Sequence, residues 1–491
     1  MKGLFLRLLT IMMMAATIVF VLVPHTLSGI NAKNGVIKAT CDESLGSETS
    51  GEPDSSRLNV YRIVVDSVNH VNYGLGYPIT YKFSYPSGSS NLTVQYCHSF
   101  PFCWNELARK NSSDLFNGIE AARFDTANSN VYISVAFSSG SDTTYVRLAD
   151  GADDPVSMSF IEIPEYYDGR KAVVTITLDD WGRTQADEGS FLAAAAALKD
   201  AKLWWTPGII TRGFHDEGNM EPTWDSVQAV IDRGFVEPGC HSANHYMPHE
   251  KGYILNLEID SARADIIDNL DLPDFMKRAD REYLWAWIQP HGETADSIRK
   301  RLGHLHFLAD RDFSTSEHQY SWTSWVAADS LYEESYFSGL WELKSEEELN
   351  GYFDTAYDQG GIYHGAGHPV RLDWSDGGKL QNHIDHIKGR KDVWYVGWGA
   401  LYMYHFVATR GIVSVAPVSE DTTRPELCGD VNCDGQITPG DALCAFWRYI
   451  LGHFQSECEC EYSEMTAGIN CDGQITPGDA LCIVWRYILG D

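Results

Sequence analysis

The sequence predicts three folded parts in series: a β-sandwich, an α/β barrel and a small helical module built on two calcium loops. Three observations predict them. Short alternating β-type runs fill the stretch from Leu58 to Pro164. Apolar strand runs and helix formers then alternate from Lys171 to Gly411. Finally, NCDGQITPGDALC stands at Asn432–Cys444 and again, letter for letter, at Asn470–Cys482, with WRYILG after each copy. At 491 residues, 44% of them hydrophobic, the chain can bury two or three ordinary cores. Its 68 acidic against 37 basic residues give a net charge of −31, which argues against a nucleic-acid partner.

Residues 1–32 carry Lys2 and Arg7, an apolar run from Leu8 to Val23, the helix-breaking Pro24 and small residues ending at Ala32. Those zones are expected of a cleaved secretory signal. The alternative is a retained anchor, although the apolar run falls short of a comfortable membrane span. No later stretch approaches spanning length, so the expectation is a secreted protein with no membrane contact after cleavage. Residues 33–56, acidic and Gly/Ser-rich from Cys41 to Ser56, read as a linker.

Residues 57–165 contain NVYRIVV, YPITYKFSYPSG, NLTVQY, NVYISVAF and TYVRLA between turn-rich pieces, the spacing of a β-sandwich. The sequons at Asn91 and Asn111 suit surface loops, and Cys97 and Cys103 are candidates for a local pair. Residues 166–415 open with the buried-strand run KAVVTITL. The helix former FLAAAAALKDA, the strand-like LWWTPGIIT and a helix DSVQAVIDRG closed by Gly234 follow. Such alternation argues for a parallel α/β domain whose strand ends present functional groups. Residues 416–427, APVSEDTTRPEL, read as a second linker before the module at 428–491.

Seven of the 11 cysteines crowd into that module (Cys428, Cys433, Cys444, Cys458, Cys460, Cys471 and Cys482), so disulfides are expected there if the chain is exported. In the first repeat Asp430, Asn432, Asp434, the carbonyl of Gln436 and Asp441 stand at positions 1, 3, 5, 7 and 12 of a calcium loop, with Gly435 at the turn. The second repeat offers Asn470, Asp472, Gln474 and Asp479 but has Gly468 where the first Asp is expected, which predicts a weaker site. On these residues the segment resembles a dockerin. The resemblance implies bound calcium and docking onto a cohesin domain of a scaffold protein, with Pro439, Gly440, Pro477 and Gly478 at the recognition positions. A disulfide-stapled repeat without metal is the alternative.

Within 166–415 two short motifs carry chemistry. Thr177-Leu178-Asp179-Asp180 ends the first strand run, and His241-Ser242-Ala243-Asn244-His245 follows a second. Two histidines four apart fall on one face of a helical turn and can share a metal. One carboxylate and two imidazoles form a common zinc set with a position left open for water.

In this order the motifs resemble the polysaccharide deacetylase family (NodB-homology, carbohydrate esterase family 4), over roughly Arg170 to Gly411. The resemblance implies a distorted (β/α)7-type barrel, Asp179 as catalytic base, and Asp180, His241 and His245 as ligands of a divalent metal, zinc first. It further implies an Arg in a third motif, paired with the base. Trp287-Ile288-Gln289-Pro290-His291-Gly292 keeps the Pro and Gly but has Ile288 in that place, so either another group pairs with the base or the base is tuned differently. His364, ending GIYH, matches the general acid, with His368 as the alternative; Gln289, His291 and Trp181 are auxiliary or substrate residues. Trp204, Trp205, Trp287 and Trp374 join Trp181 as candidates to line a sugar cleft. The implied activity is hydrolysis of N- or O-acetyl groups on a polysaccharide or glycan. A non-catalytic carbohydrate-binding component, or a hydrolase of another C–N bond, is the alternative.

Overall fold

The computed structural model describes residues 59–98, 104–137, 141–152, 154–183, 188–214, 223–292, 295–312, 320–322, 325–326, 331–334 and 340–418. The signal segment, the first linker, both calcium loops and the whole 428–491 module lie outside these residues, as does Cys103. Cys97 is buried at the end of its strand.

Ten strands precede the α/β region: β1 (Val60–Val65), β2 (Ile79–Ser84), β3 (Thr93–Cys97), β4 (Asn105–Glu106), β5 (Arg109–Lys110), β6 (Ala121–Asp125), β7 (Asn130–Val135), β8 (Thr143–Ala149), β9 (Pro155–Val156) and β10 (Ser159–Glu162). They form two sheets. One runs β1-β8-β3-β4 with β9 on β8, and the other runs β10-β2-β7-β6-β5; all pairs are antiparallel except β5 with β6. Alternation explains the faces: Ile63, Val65, Ile79, Tyr81 and Phe83 are buried, whereas Arg62, beside Ile63 on the opposite face of β1, stays exposed. The sheets meet through Tyr61 of β1, whose ring lies 5.0 Å from Phe83 of β2 in an edge-to-face contact.

The next strand, β11 (Ala172–Trp181), is buried at all ten positions, as expected of a strand covered on both faces. It is followed by β12 (Thr206–Ile209), β13 (Gly239–Cys240), the small hairpin β14 (Lys277–Arg278) and β15 (Arg281–Glu282), β16 (Ala286–Ile288), β17 (Ala309–Arg311), β18 (Trp325–Val326), β19 (Leu331–Glu334), β20 (Ile362–Gly367) and β21 (Val393–Tyr395). The order β18-β19-β17-β16-β13-β12-β11-β20, with β21 also on β11, is parallel apart from β18. This is a half-barrel of α/β type. The predicted helices form at Glu188–Asp200 and Trp224–Asp232, the second opened by a reciprocal cap between Thr223 and Ser226.

One boundary differs from the sequence reading. The linker expected from Ala416 begins later, because a strand β22 (Val413–Pro417) returns to the first sheet and pairs with β1 over Tyr61↔Pro417 to Val65↔Val413. Proline is tolerated there because β22 is an edge strand. The two regions are further joined where Trp285 Nε1 donates to the Tyr73 carbonyl at 2.6 Å and Trp394 Nε1 donates to Tyr77 Oη at 3.1 Å.

The helix Trp398–Thr409 starts on a buried carboxylate rather than on a side chain of its own. Glu237 accepts from Ala400 N–H at 3.0 Å, and burial pushes its carboxyl up to about 8. A Cβ at Gly397 would come within 2.0 Å of Glu237 Oε2, so only glycine lets the carboxylate reach the helix end.

Candidate metal centre and active site

The end of β11 is bent to present two consecutive carboxylates. Its pairing with β12 shifts register between Leu178 and Trp181, and Asp180 sits at φ 76°. In a regular strand Asp179 and Asp180 would face opposite ways; the bulge turns both toward one cleft.

His241 follows directly on β13 and His245 lies in the loop after it. The expected helical turn is not there: Ser242 and His245 both take left-handed φ, 70° and 60°, and the segment is a loop. Its shape is enforced from outside. Ser242 Oγ accepts from His245 N–H at 2.8 Å, and Glu258 grips Asn244 at both its N–H and its Nδ2, each at 2.8 Å. Glu258 belongs to a π-helical turn (Leu257–Ser261), a geometry often found where a helix serves a site. The two imidazoles therefore converge by loop strain and not by helical spacing.

Asp180 Oδ1 lies 3.4 Å from His241 Nε2 and 3.2 Å from His245 Nε2, and one ligand atom from each residue lies within 4.8 Å of the others. His241 Nδ1 is 2.6 Å from the Ile288 carbonyl, which can only accept, so Nδ1 carries a proton and Nε2 is the ring nitrogen that faces Asp180. Burial lowers the basicity of His245, which favours its neutral, ligating form. Burial works against ionisation of Asp180, yet the two imidazoles more than offset it and hold the carboxyl well below its usual range. Asp180 Oδ1 is buried without a hydrogen-bond partner among the described residues. A divalent cation fits this set: one carboxylate oxygen and two imidazole nitrogens converge on one point. Arg183 Nη1 holds the other oxygen, Oδ2, at 2.8 Å.

Asp179 is buried beside this set. Its Oδ2 accepts from Arg311 Nη2 at 2.5 Å, while Oδ1 has no hydrogen-bond partner among the described residues. Burial opposes its charge, but the Arg311 guanidinium, with help from His241, holds its carboxyl below the usual range. Arg311 ends β17 and answers the gap left by Ile288. The arginine expected on β16 is supplied from the strand beside it, since Ile288 and Arg311 are register partners. Sequence reasoning missed it, although FLADR reads as a strand ending in a cation.

The two candidate acids separate clearly. His364 lies inside β20, 2% exposed, its Nε2 3.0 Å from Thr177 Oγ1 and its ring stacked on Trp398. His368 follows the end of β20, with Nε2 3.8 Å from Asp180 Oδ2 and Nδ1 2.6 Å from Glu342 Oε1. Burial lowers the basicity of His368, but the Glu342 hydrogen bond and the charges of Asp179 and Asp180 raise it above its ordinary value. Glu342, on the turn Trp341–Leu343, was not anticipated.

Of the auxiliary residues, only His291 faces the site. It is exposed, at φ 57°, with its ring centroid 4.3 Å from that of His245. Gln289 is buried and accepts from Trp287 Nε1 at 2.9 Å. Trp181 is a core residue and not a cleft wall: it is fully buried, stacked 4.9 Å from Phe191 and bonded through Nε1 to Glu188. Trp205 and Trp287 are also fully buried; Trp204 and Trp374 are partly so.

No known family profile matches the sequence, and no curated protein matches it. Solved structures do. A Mycobacterium smegmatis protein assigned as a polysaccharide deacetylase is 16% identical, covers 48% of this chain and 91% of its own, and has a TM-score of 0.35. A Pseudomonas aeruginosa PAO1 protein with the same assignment is 10% identical, covers 50% and 94%, and scores 0.37. A 4-alpha-glucanotransferase from Thermococcus litoralis is 11% identical over 55% and 43%, at 0.30. At such scores and identities the likeness carries no functional argument, which rests on the residues above.

Proposed function

We propose that the chain is an exported, metal-dependent carbohydrate deacetylase that hydrolyses N- or O-acetyl groups on a polysaccharide. The observation that carries the proposal is the convergence of Asp180, His241 and His245 beside Asp179, a buried carboxylate with one oxygen paired to Arg311 and the other unpartnered among the described residues. A divalent metal, zinc first, held by those three residues would supply Lewis-acid activation of water and of the acetyl carbonyl. Asp179 Oδ1 is the acceptor for the water proton, kept ionised by Arg311 until it is needed. His368, rather than His364, would protonate the departing amine or alcohol, since it lies at the strand end beside Asp180 and the hydrogen bond to Glu342 raises its basicity. Arg311 beside Asp179 supports a catalytic reading over a purely binding one, since it supplies the cation that the third motif lacks.

Stripping the full chain of metal with a chelator should abolish acetate release from chitin oligomers, acetylated xylan or peptidoglycan. Adding back zinc, cobalt or nickel should restore it. No acetate from any of these substrates with any metal would favour a binding protein instead.

The positioning half of the proposal rests on sequence. Residues 1–32 direct export, and the 428–491 module, with its repeated calcium loops, docks the enzyme onto a cohesin-bearing scaffold. Capture of the full chain by an immobilised cohesin domain should require calcium and reverse on chelation; calcium-independent behaviour, or no capture, rejects docking.

A further inference from the structure

The histidine singled out in GIYH is not at the mouth of the site, yet it is tied to it. Thr177 Oγ1 lies 3.0 Å from His364 Nε2 and 2.9 Å from Arg311 Nη1, and Arg311 Nη2 lies 2.5 Å from Asp179 Oδ2. All four residues are buried: Thr177 0%, Arg311 1%, His364 2% and Asp179 6% exposed. They come from three strands. Thr177 and Asp179, two apart on β11, share a face; His364 is on the adjacent β20; Arg311 reaches in from β17, which three intervening strands separate from β11.

We infer that His364 is a positioning residue, which acts through Thr177 to aim Arg311 at the base Asp179. The hydrogen-bond directions carry the inference. A guanidinium can only donate, so Thr177 Oγ1 accepts from Arg311 Nη1. The hydroxyl then has one proton to place, and His364 Nε2 is within reach to take it. Were Nε2 to donate instead, the buried hydroxyl proton would lose this acceptor, and leaving a buried hydrogen bond unmade is costly. The chain is therefore directional, from Arg311 through Thr177 to His364, and the stack on Trp398 holds the imidazole in plane. Its effect is geometric: it settles which nitrogen of Arg311 faces Asp179, so that Oδ2 is engaged and Oδ1 is left for water.

This rests on the reading of Asp179 as the base, and the tests separate the two. Thr177→Val keeps the shape and removes the hydroxyl; His364→Leu removes the acceptor. Each should lower kcat roughly ten- to hundredfold, the scale of a misplaced catalytic group, with KM and bound metal within about twofold. Because both break one chain, the double variant should be no worse than the worse single. Thr177→Ser and His364→Gln, which keep the hydroxyl and an acceptor, should recover most of the rate. Losses that multiply, or that fall on KM or metal content, overturn the inference. A readout independent of turnover is the imidazole nitrogen spectrum of 15N-histidine protein. His364 Nε2 should resonate as an unprotonated acceptor and shift in Thr177→Val. A protonated Nε2 would reject the chain, whereas a correct spectrum in a wild-type protein that releases no acetate would reject the deacetylase reading alone.

Discussion

Asp179→Asn is expected to lower acetate release by about three to four orders of magnitude, toward the upper end of what a general base contributes, with the metal still bound. Asparagine keeps the volume of the side chain and an oxygen for Arg311, so the pocket stays filled. What it lacks is the capacity to take a proton from water. The metal should remain because the ligating carboxylate is Asp180, the next residue, turned toward His241 and His245 by the bulge at the end of β11. Acetate release measured beside metal content per chain decides the matter. Undiminished turnover would remove Asp179 from the mechanism, and loss of the metal would mean that the two aspartates had been given each other's roles.

Arg311→Met should damage the protein in two ways that can be told apart. Arg311 and Asp179 form a buried pair, their side chains 2% and 9% exposed. Removing the cation leaves an uncompensated carboxylate inside the half-barrel, a loss of about 3–5 kcal/mol in unfolding free energy. Turnover should also fall, roughly a hundredfold, because Asp179 then has neither its charge partner nor its orientation. Adding Asp179→Asn to Arg311→Met should recover stability, since no buried charge is left over, and recover no activity. Denaturant midpoints and acetate release on the three variants check both halves. A double variant as unstable as Arg311→Met would show that Arg311 acts through packing and not through the pair.

Much of this site was legible in the sequence because its residues are neighbours in the chain. Asp179 and Asp180 stand together, and His241 and His245 are four apart, so short motifs exposed them. The reason they meet was not legible. Helical spacing suggested a shared helix face, whereas the structure uses a loop with two left-handed residues, braced by Glu258 from a π-turn. Nothing in a local pattern announces such bracing. Arg311 escaped for a related reason: its partner Asp179 is 132 positions away, and only the curvature of the sheet joins them. His364 and His368 were both visible as candidates, but two histidines in one short segment differ only in where the strand ends. Their surroundings differ instead, one lying inside β20 and the other beyond it. Tryptophan misled in the same direction. Aromatic abundance suggested a sugar cleft, and the largest indoles turned inward because a half-barrel of this size has much apolar volume to fill.

The return of β22 to β1 gives the molecule a particular mechanical layout. The last hydrogen bond of that ladder, from Val418 N–H to the Val60 carbonyl, sets the exits of both flanking segments side by side on one edge of the first sheet. A load applied through residues beyond 418 therefore enters the β-rich region first. It must peel β22 from β1 before it pulls on the helix Trp398–Thr409 and the strands that carry Asp179 and His241. Cutting the chain between Gly411 and Val413 to isolate the half-barrel would strip an edge from the neighbouring sheet and leave β1 open to pairing with other chains.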